Sequence, residues 1–441
     1  MCLLQLIKFE IKATILSMNE YKLVKLKNGL SVVLVPKSST EVVTAMILFK
    51  VGSRNESDEI AGISHVLEHM HYKGTEKLPT GLKIAEFIES LGGEHNAFTG
   101  KEYTGYYTKL VPKHLEKAFE FLSDILINSK FDANELEKEK NVILQEISMY
   151  EDLPMAMVEN YFEEAVFGQN ALGRDVIGRR ESVQNVDQKK LVKYRDEHYS
   201  GENGVLVLAG NFGELSEEKI IDLTEKYFKF PEKKASELSE IEINKEKNHK
   251  IITKKTEQSH LAVGFRTVPL DNPDYFKLDL LAMILGGSMS SRMFEEIREN
   301  RGLAYAVRTC TSNFIESGMI ITQAGVPHEK VYEATEAIIG EYKKVKTEKV
   351  PEEELAKAKE IINGKMLIKF EDSEELAHYF ASDKLLLGKI IAPEELVKIY
   401  QNITTDDIMD VANKYLTDER MGLAFIGPEF TKEKVEEILK I

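Results

Sequence analysis

The sequence contains little cysteine, no long apolar run and fewer basic than acidic residues. Two cysteines in 441 residues, Cys2 and Cys310, cannot build a disulfide framework, which indicates a reducing compartment such as the cytoplasm. No segment reaches the roughly 18 apolar residues that a membrane-spanning helix needs, so we expect no membrane association. The 58 basic and 74 acidic residues give a net charge of −16. That charge disfavours nucleic acid and anionic membranes as the main partners.

The composition is that of a folded protein with more than one domain. Apolar residues make up 43% of the chain, enough to fill real cores, so global disorder is excluded. A chain of 441 residues exceeds the size of one ordinary core and predicts two or three domains.

The first 17 residues differ from the rest of the chain. Their apolar run is interrupted by Lys8, Glu10 and Lys12, and no small-residue cleavage site follows, so we do not expect a secretory signal peptide. Regular alternation begins after Met18. We therefore expect residues 1–17 to be a disordered extension or to precede the true start of the protein.

Hairpin-like strands and amphipathic helices follow one another without a strict βαβ order. Alternating segments flank an Asn28-Gly29 turn, a β-branched run covers 44–51, and helical periodicity extends across 113–129 and 132–150. This mixture predicts an α+β fold with a mostly antiparallel sheet and helices packed on it, rather than a doubly wound parallel sheet.

An internal repeat indicates duplication of one fold. Segments 182–213 and 400–430 share a Gln-Asn pair, a helix ending at His-Tyr or Lys-Tyr, an apolar strand and a turn. The most charged stretch lies between the halves, as expected for a linker. We therefore predict two homologous α/β-sandwich domains: 18–232 with the chemistry, a linker at 233–250, and 251–441 as a non-catalytic, substrate-binding copy.

The densest group of histidines contains a metal-binding pattern. His65, Glu68 and His69 form H-x-x-E-H, and on a helix the two histidines share a face. Imidazoles suit zinc, and a neighbouring carboxylate can take a proton from water as a carbonyl is attacked. The alternative is a solvated helix face with two incidental histidines. His71 is off this face and is expected at the surface or next to a ligand.

Catalytic zinc usually takes three protein ligands, and the helix predicted at 133–150 offers two candidates. Glu139 and Glu146 are two turns apart on one face. Glu146 follows an apolar pair and is expected to lie deepest in the apolar part of the helix, which makes it the better ligand. Glu139 would then orient a ligand histidine. The alternative is a charged, solvated helix surface. Packing of this helix on the core is assigned to four apolar residues: Leu136, Val142, Ile143 and Ile147.

H-x-x-E-H followed by a glutamate on a later helix resembles the inverzincins, the pitrilysin, insulysin and mitochondrial processing peptidase family. The similarity extends over nearly the whole chain from about residue 20, in the short, two-domain branch. It implies a zinc cofactor held by His65, His69 and Glu146, with Glu68 as general base and Glu139 as supporting acid.

Two further segments are similar to family elements. Segment 91–107 resembles GG-x-x-N-A-x-T, which implies that Asn96 and Ala97 contact a substrate added as a strand; alternatively, Asn96 is a turn residue. Segment 286–307 resembles an element whose Arg/Tyr pair reaches the substrate backbone, here Arg298 and Tyr305. Alternatively, Arg298 makes a surface ion pair and Tyr305 packs in the core.

The resemblance also carries expectations about stoichiometry and assembly. At 278–287, where the repeat would place a second metal motif, the chain has neither histidine nor glutamate, so one zinc per chain is expected. Relatives enclose substrate between two halves of two domains each, and this chain resembles one half. Because both motifs are intact in one chain, we expect a homodimer, with a heterodimer with a related subunit as the alternative.

The sequence therefore predicts a zinc metalloendopeptidase that cleaves short or unfolded peptides inside a closed chamber. The acidic charge indicates a preference for basic peptides. The rival hypothesis is an inactive member that serves as a structural or partner subunit of a heteromeric complex. A weaker rival is another zinc-dependent hydrolase with the same ligands.

Overall fold

The computed structural model of the chain describes residues 21–233, 241–243 and 248–441. The predicted extension at 1–17 lies outside the described residues, as does most of the predicted linker at 233–250. A strand begins at Asn248, within the last residues of the predicted linker.

The first half of the described chain is built on one sheet. Its strands are β1 (Lys22–Lys25), β2 (Ser31–Pro36), β3 (Val43–Phe49), β4 (Glu94–Thr99), β5 (Thr104–Leu110) and β6 (Gly204–Gly210). They lie in the order β1-β2-β6-β3-β5-β4, with β2 parallel to β6 and every other pair antiparallel. The β1–β2 hairpin turns at Asn28-Gly29, as the sequence predicts, and Gly29 has a positive φ of 88°.

Eight α-helices lie between and after the strands of the described part of this half. They are α1 (Ile63–His71), α2 (Gly81–Glu89), α3 (Leu115–Asn128), α4 (Ala133–Glu151), α5 (Pro154–Phe167), α6 (Arg180–Gln184), α7 (Gln188–His198) and α8 (Glu217–Tyr227). Short 3₁₀ turns lie at Ser53–Asn55, Asp58–Ile60 and Pro112–His114.

The second half is built on a second sheet. Its strands are β7 (Asn248–Thr253), β8 (Ser259–Arg266), β9 (Ala306–Asn313), β10 (Gly318–Val326) and β11 (Met421–Gly427). The α-helices are α9 (Asp274–Gly286), α10 (Val331–Thr347), α11 (Glu352–Lys369), α12 (Ser373–Ser382), α13 (Pro393–Asn402), α14 (Thr405–Tyr415) and α15 (Lys432–Ile438). π-Helical turns lie at Phe294–Asn300 and Asp383–Leu387, and 3₁₀ turns at His328–Lys330 and Asp418–Arg420.

The two sheets share one topology. The second sheet has the order β7-β11-β8-β10-β9, with β7 parallel to β11 and the other pairs antiparallel. Strand for strand this matches β2-β6-β3-β5-β4. The predicted α+β class and internal duplication are therefore confirmed. Helix α1 lies between β3 and β4 along the chain, and α9 lies between the equivalent strands β8 and β9. The exact domain bounds stay a prediction.

Helices pack on both faces of each sheet, and one of the helices on each sheet comes from the opposite half. Strand β3 is buried throughout: Ile47 and its alternate neighbours face α1 and α3, whereas Met46 and Leu48 pack against Phe380 of α12. Reciprocally, Phe162 of α5 packs on the second sheet. Strands buried on both faces read as continuous apolar runs, as these do. The halves therefore exchange one helix each.

In the part of the chain that the structure describes, every helix is too short or too polar to cross a lipid bilayer.

Candidate metal centre

Helix α1 carries the H-x-x-E-H residues, and its beginning is fixed by a buried carboxylate. Gly62 precedes the helix with a left-handed φ of 92°, where a Cβ atom would lie 2.6 Å from the carbonyl oxygen of Ile177. The backbone N–H groups of Gly62 and Ser64 donate to the two oxygens of Glu56, at 2.7 and 2.8 Å. These bonds satisfy helix N-terminal donors that would otherwise lack partners, so α1 starts in one defined position.

The structure brings His65, His69 and Glu146 into one cluster. The two Nε2 atoms are 3.2 Å apart, and Oε2 of Glu146 lies 3.8 Å from Nε2 of His65 and 3.7 Å from Nε2 of His69. Among the described residues this is the one group of at least three potential metal ligands. The two histidines come from α1 and the glutamate from α4, which packs against it.

The spacing of these three atoms fits zinc. Ligand atoms about 2.0–2.2 Å from a tetrahedral zinc lie about 3.3–3.6 Å from one another, close to the observed 3.2–3.8 Å. Burial, together with the neighbouring His69 ring, lowers the pKa of His65 to about 3. His65 is therefore neutral at physiological pH, as a metal ligand must be.

Glu68 lies beside the cluster and is held by β4. The hydroxyl group of Thr99, the last residue of β4, donates to Oε2 of Glu68. Burial raises the pKa of Glu68, and the nearby Glu146 carboxylate adds to that rise, while Thr99 and His69 oppose it. A carboxyl group with a raised pKa is a better proton acceptor near neutral pH.

Glu139 contacts the ligand histidine that it was predicted to orient. Its Oε1 lies 2.9 Å from Nδ1 of His69, and its Oε2 lies 2.7 Å from Nζ of Lys73. The prediction that Glu146 lies deeper than Glu139 was wrong, since Glu139 is buried and Glu146 is half-buried. The prediction that Val142 packs on the core was also wrong, because it lies on the solvent side of α4.

His71 does not lie at the surface or next to a ligand. It is fully buried, its Nδ1 is 2.8 Å from the carbonyl oxygen of Ile125, and its ring contacts Tyr106, Phe131 and Tyr199. It ends α1 on the face opposite the metal cluster. His71 is two residues after His69, which corresponds to a rotation of about 200° around the helix. This rotation directs the His71 side chain into the core.

Asn96 and Ala97 lie on β4, the edge strand of the first sheet. Asn96 is exposed and pairs opposite Tyr107, which excludes its assignment to a turn. Ala97 and Thr99 point toward the helices and Asn96 toward the other face, because side chains alternate along a strand. The open edge of β4 therefore runs past Glu68.

Arg298 and Tyr305 lie together but form a different hollow. The guanidinium carbon of Arg298 is 5.0 Å from the ring centre of Tyr305, which is 79% exposed, so it does not pack in the core. Both line a hollow of about 610 Å³ between α5 and β9, with Glu159 and Arg308. The metal cluster residues are not part of its lining.

Three residues that support the site were not found from the sequence. Thr99 stands in the segment compared with GG-x-x-N-A-x-T, so its position was visible but its role was not assigned. Lys73 lies one turn after His69 and completes the environment of Glu139. Glu56 is one of several acidic residues in a polar loop, and nothing in that pattern marks it as buried.

With this geometry established, two family profiles match the chain. The profile described as Insulinase (Peptidase family M16) matches residues 31–180, and the Peptidase M16 inactive domain matches residues 185–362. The chain belongs to the M16 family of peptidases. The predicted family is confirmed, and the inactive-domain profile begins after the metal motif and Glu146, in the first half, and extends to residue 362 of the second half.

Relatives of known sequence cover almost all of this M16 chain. It is 34% identical over 403 residues to the uncharacterized zinc protease YmxG of Bacillus subtilis, covering 91% of this chain and 97% of that one. It is 36% identical over 413 residues to an uncharacterized zinc protease of Rickettsia felis, with 92% and 98% covered. The names of these relatives support zinc as the metal of the family members.

Solved structures share the fold. A protease from Helicobacter pylori has a TM-score of 0.86 at 24% identity, with 93% of this chain and 99% of that one covered. A chain of complex III2 from Candida albicans has a TM-score of 0.82 at 17% identity, covering 95% and 100%. At these identities the likeness establishes the fold alone.

Proposed function

We propose that this chain is a zinc-dependent endopeptidase that cleaves short or unfolded peptides. The observation that carries the proposal is the cluster of His65, His69 and Glu146 at zinc-ligand spacing, with the half-buried Glu68 carboxyl beside it. Membership in a peptidase family sets the reaction class, and this geometry supports hydrolysis by this particular chain.

His65, His69 and Glu146 would hold one zinc ion per chain. When bound there, zinc supplies a Lewis acid that polarises a carbonyl group and lowers the pKa of water. Glu68 takes the proton of the attacking water and returns it to the leaving amine. Thr99 fixes the Glu68 carboxyl through a hydrogen bond, and Glu139 fixes the ring of His69.

The open edge of β4 supports peptide binding by strand addition. An edge strand presents unpaired N–H and C=O groups, and an extended peptide can pair with them. On β4, Asn96 and Ala97 are the residues that would contact it, directly before Phe98 and Thr99. A folded protein cannot offer a free extended strand, so short or unfolded peptides are the substrates.

The hollow that contains Arg298 and Tyr305 supports assembly from two copies. Because its lining does not include the metal cluster residues, we propose that this pair reaches the cluster of a second copy. There, the guanidinium and phenol groups hydrogen-bond the carbonyl oxygens of the substrate backbone. A homodimer is the proposed assembly, and a heterodimer with a related subunit is the alternative.

The composition supports two further parts of the proposal, which concern peptide preference and cellular compartment. The net charge of −16 supports a preference for basic peptides, which requires faster turnover of basic than of acidic peptides of equal length. Equal turnover of the two classes would remove this part of the proposal. The scarcity of cysteine supports a reducing compartment such as the cytoplasm.

Glu68→Gln tests the mechanism directly. The amide preserves the size of the side chain but cannot take a proton, so zinc content should stay at one ion per chain while cleavage of an unfolded peptide library falls to background. Glu86→Gln, on the exposed surface of α2, is the matched control and should retain full activity. Activity in Glu68→Gln would contradict the mechanism.

The second candidate is a non-catalytic subunit, because one structural neighbour is a chain of complex III2. This candidate predicts that the purified chain binds no zinc, or that it binds zinc but cleaves no peptide. The intact set of His65, Glu68, His69 and Glu146 favours the enzyme. Metal analysis combined with the peptide assay separates the two functions.

A further inference from the structure

The turn between β4 and β5 directly follows the residue that holds Glu68. Thr99 donates to Glu68, and the next residue, Gly100, closes the turn by donating its N–H to the carbonyl oxygen of Tyr103 at 2.8 Å. Any displacement of this turn moves the backbone of Thr99 and therefore its hydroxyl group. The placement of Glu68 thus depends on what holds residues 100–103.

One side of the turn is held by the first half. The N–H groups of Ser53 and Arg54 donate to the carbonyl oxygens of Gly100 and Lys101, at 3.2 and 2.9 Å. At Gly52 the packing is so close that a Cβ atom would lie 2.2 Å from the carbonyl oxygen of Gly100. The turn therefore has little freedom to shift toward this side.

The other side of the turn is held by the second half. The carboxylate of Glu102 accepts the backbone N–H of Ile315, with its oxygens at 2.9 and 3.1 Å. Arg54 forms ion pairs with Glu102 and with Glu316, the latter at 2.7 Å. Ile315 and Glu316 lie in the turn between β9 and β10, so two hairpin turns from opposite halves meet at one carboxylate.

This contact is buried. Arg54 is 4% exposed and Glu102 is 3% exposed. Burial raises the pKa of Glu102 despite the opposing effects of Arg54 and the Ile315 N–H group. A buried ion pair is a poor stabiliser compared with apolar packing, because the charges lose their hydration. It does, however, allow only one geometry, since a displaced partner leaves a buried charge unpaired.

A neighbouring residue of the same turn makes a parallel connection. Nζ of Lys101 lies 2.9 Å from a carboxylate oxygen of Glu163 on α5, the helix that packs on the second sheet. Two consecutive side chains of the turn are thus bound to elements whose positions depend on the second half.

We propose that Glu102 is a positioning residue for Glu68, acting through the turn and Thr99, and that it makes the placement of the base depend on the second half. This inference rests on the proposed peptidase function. It assigns to the β9–β10 turn a role in catalysis without contact to the substrate.

Glu102→Asp tests the link, because the shorter side chain keeps its charge beside Arg54 but withdraws from the Ile315 N–H group. We expect kcat to fall about tenfold, as for a small misplacement of a reacting group, with KM and zinc content unchanged. In a double-mutant cycle, Thr99→Val/Glu102→Asp should lose no more activity than Thr99→Val alone. Independent, additive losses would overturn the proposal, as would a rise in KM alone.

Hydrogen–deuterium exchange gives a readout that does not depend on activity. Residues 99–103 and 314–317 should both exchange faster in Glu102→Asp, and unchanged exchange at 99–103 would overturn the proposal. Glu371→Gln is the matched control, since Glu371 also joins the halves through Lys37 at 2.8 Å but lies away from the turn; it should change neither kcat nor exchange at 99–103. If Glu102→Asp does not fold, Glu102→Gln is measured in the same way.

Different results would refute the proposed function and the positioning role of Glu102. A wild-type chain without Glu68-dependent cleavage refutes the proposed function. A wild-type chain that cleaves, combined with additive losses in the cycle, refutes the positioning role alone.

Discussion

Oε1 of Glu139 lies 2.9 Å from Nδ1 of His69, and its second oxygen lies 2.7 Å from Nζ of Lys73. Burial alone would raise the pKa of Glu139, but the hydrogen bonds from His69 and Lys73 outweigh it, and the pKa lies below its ordinary value. Glu139 is therefore a carboxylate that accepts a hydrogen bond from Nδ1–H. That bond leaves Nε2 as the free lone pair directed at the cluster.

Replacing Glu139 should weaken zinc binding without abolishing it. In Glu139→Ala the His69 ring loses its fixed orientation, and zinc affinity should fall about 10- to 100-fold. Competition with a chelator measures this change. Glu135→Gln, on the exposed first turn of the same helix, is the control and should bind zinc as the wild type does. Unchanged affinity in Glu139→Ala would show that the contact does not support the metal.

Glu56 should make stability depend on pH. Its pKa is raised from 4.5 to about 7, chiefly by burial, despite the N–H groups of Ser64 and Gly62. The folded state therefore binds this proton more tightly than the unfolded state. The contribution to stability is full below about pH 4.5 and is lost as the pH rises through 7, a change of about 3 kcal/mol.

Urea unfolding of the metal-free protein at pH 5 and pH 8 measures this effect, with Glu56→Gln as the reference. The amide does not titrate, so whatever it costs in hydrogen bonding is nearly the same at both pH values. The difference in free energy of unfolding between wild type and variant should shift in favour of Glu56→Gln by up to about 3 kcal/mol between pH 5 and pH 8. Parallel pH profiles would contradict the buried, titrating carboxyl.

Mixing two inactive variants should restore activity if Arg298 and Tyr305 act on a second copy. Glu68→Gln and Arg298→Ala each lack one component of every site. In a mixed dimer, one site combines both defects and the other has neither. An equal mixture that exchanges subunits freely should therefore recover about a quarter of the wild-type activity. Each variant alone is the control, and a mixture no more active than the variants would place the pair on the same chain as the site.

The sequence was sufficient to predict the family, the α+β class, the duplication and the residues of the cluster. Local spacing on a helix fixes the relation of His65, Glu68 and His69, whereas Glu146 was predicted from its place on a later helix and from the family resemblance. The predictions of side-chain burial were wrong: His71 lies in the core and not at the surface, and Glu139 is more buried than Glu146. Depth depends on how α1 and α4 rotate against the sheet, which periodicity does not determine for charged residues.

The exchange of helices between the halves was not predictable for a related reason. A repeat in the sequence shows that two units are homologous, but not which unit an individual helix covers. Helix α12 belongs to the second half by sequence, yet Phe380 packs with Val33, Met46 and Val207 of the first sheet. Long-range pairing of this kind leaves no periodic signal beyond an apolar helix face.

Because α5 and α12 each pack on the sheet of the opposite half, the halves should unfold together. Phe380 is fully buried against the first sheet, and Phe380→Ala should lower the free energy of unfolding by about 3–5 kcal/mol. Leu82→Ala, which removes a 69% exposed side chain of α2, is the control and should change stability by less than about 0.5 kcal/mol. Urea unfolding followed by hydrogen exchange should show the first sheet and the second sheet losing protection in one transition, because α5 leaves the second sheet when the first half unfolds. If only the first sheet lost protection in Phe380→Ala, the halves would be independent domains, and the contacts of α5 and α12 would contribute little to cooperativity.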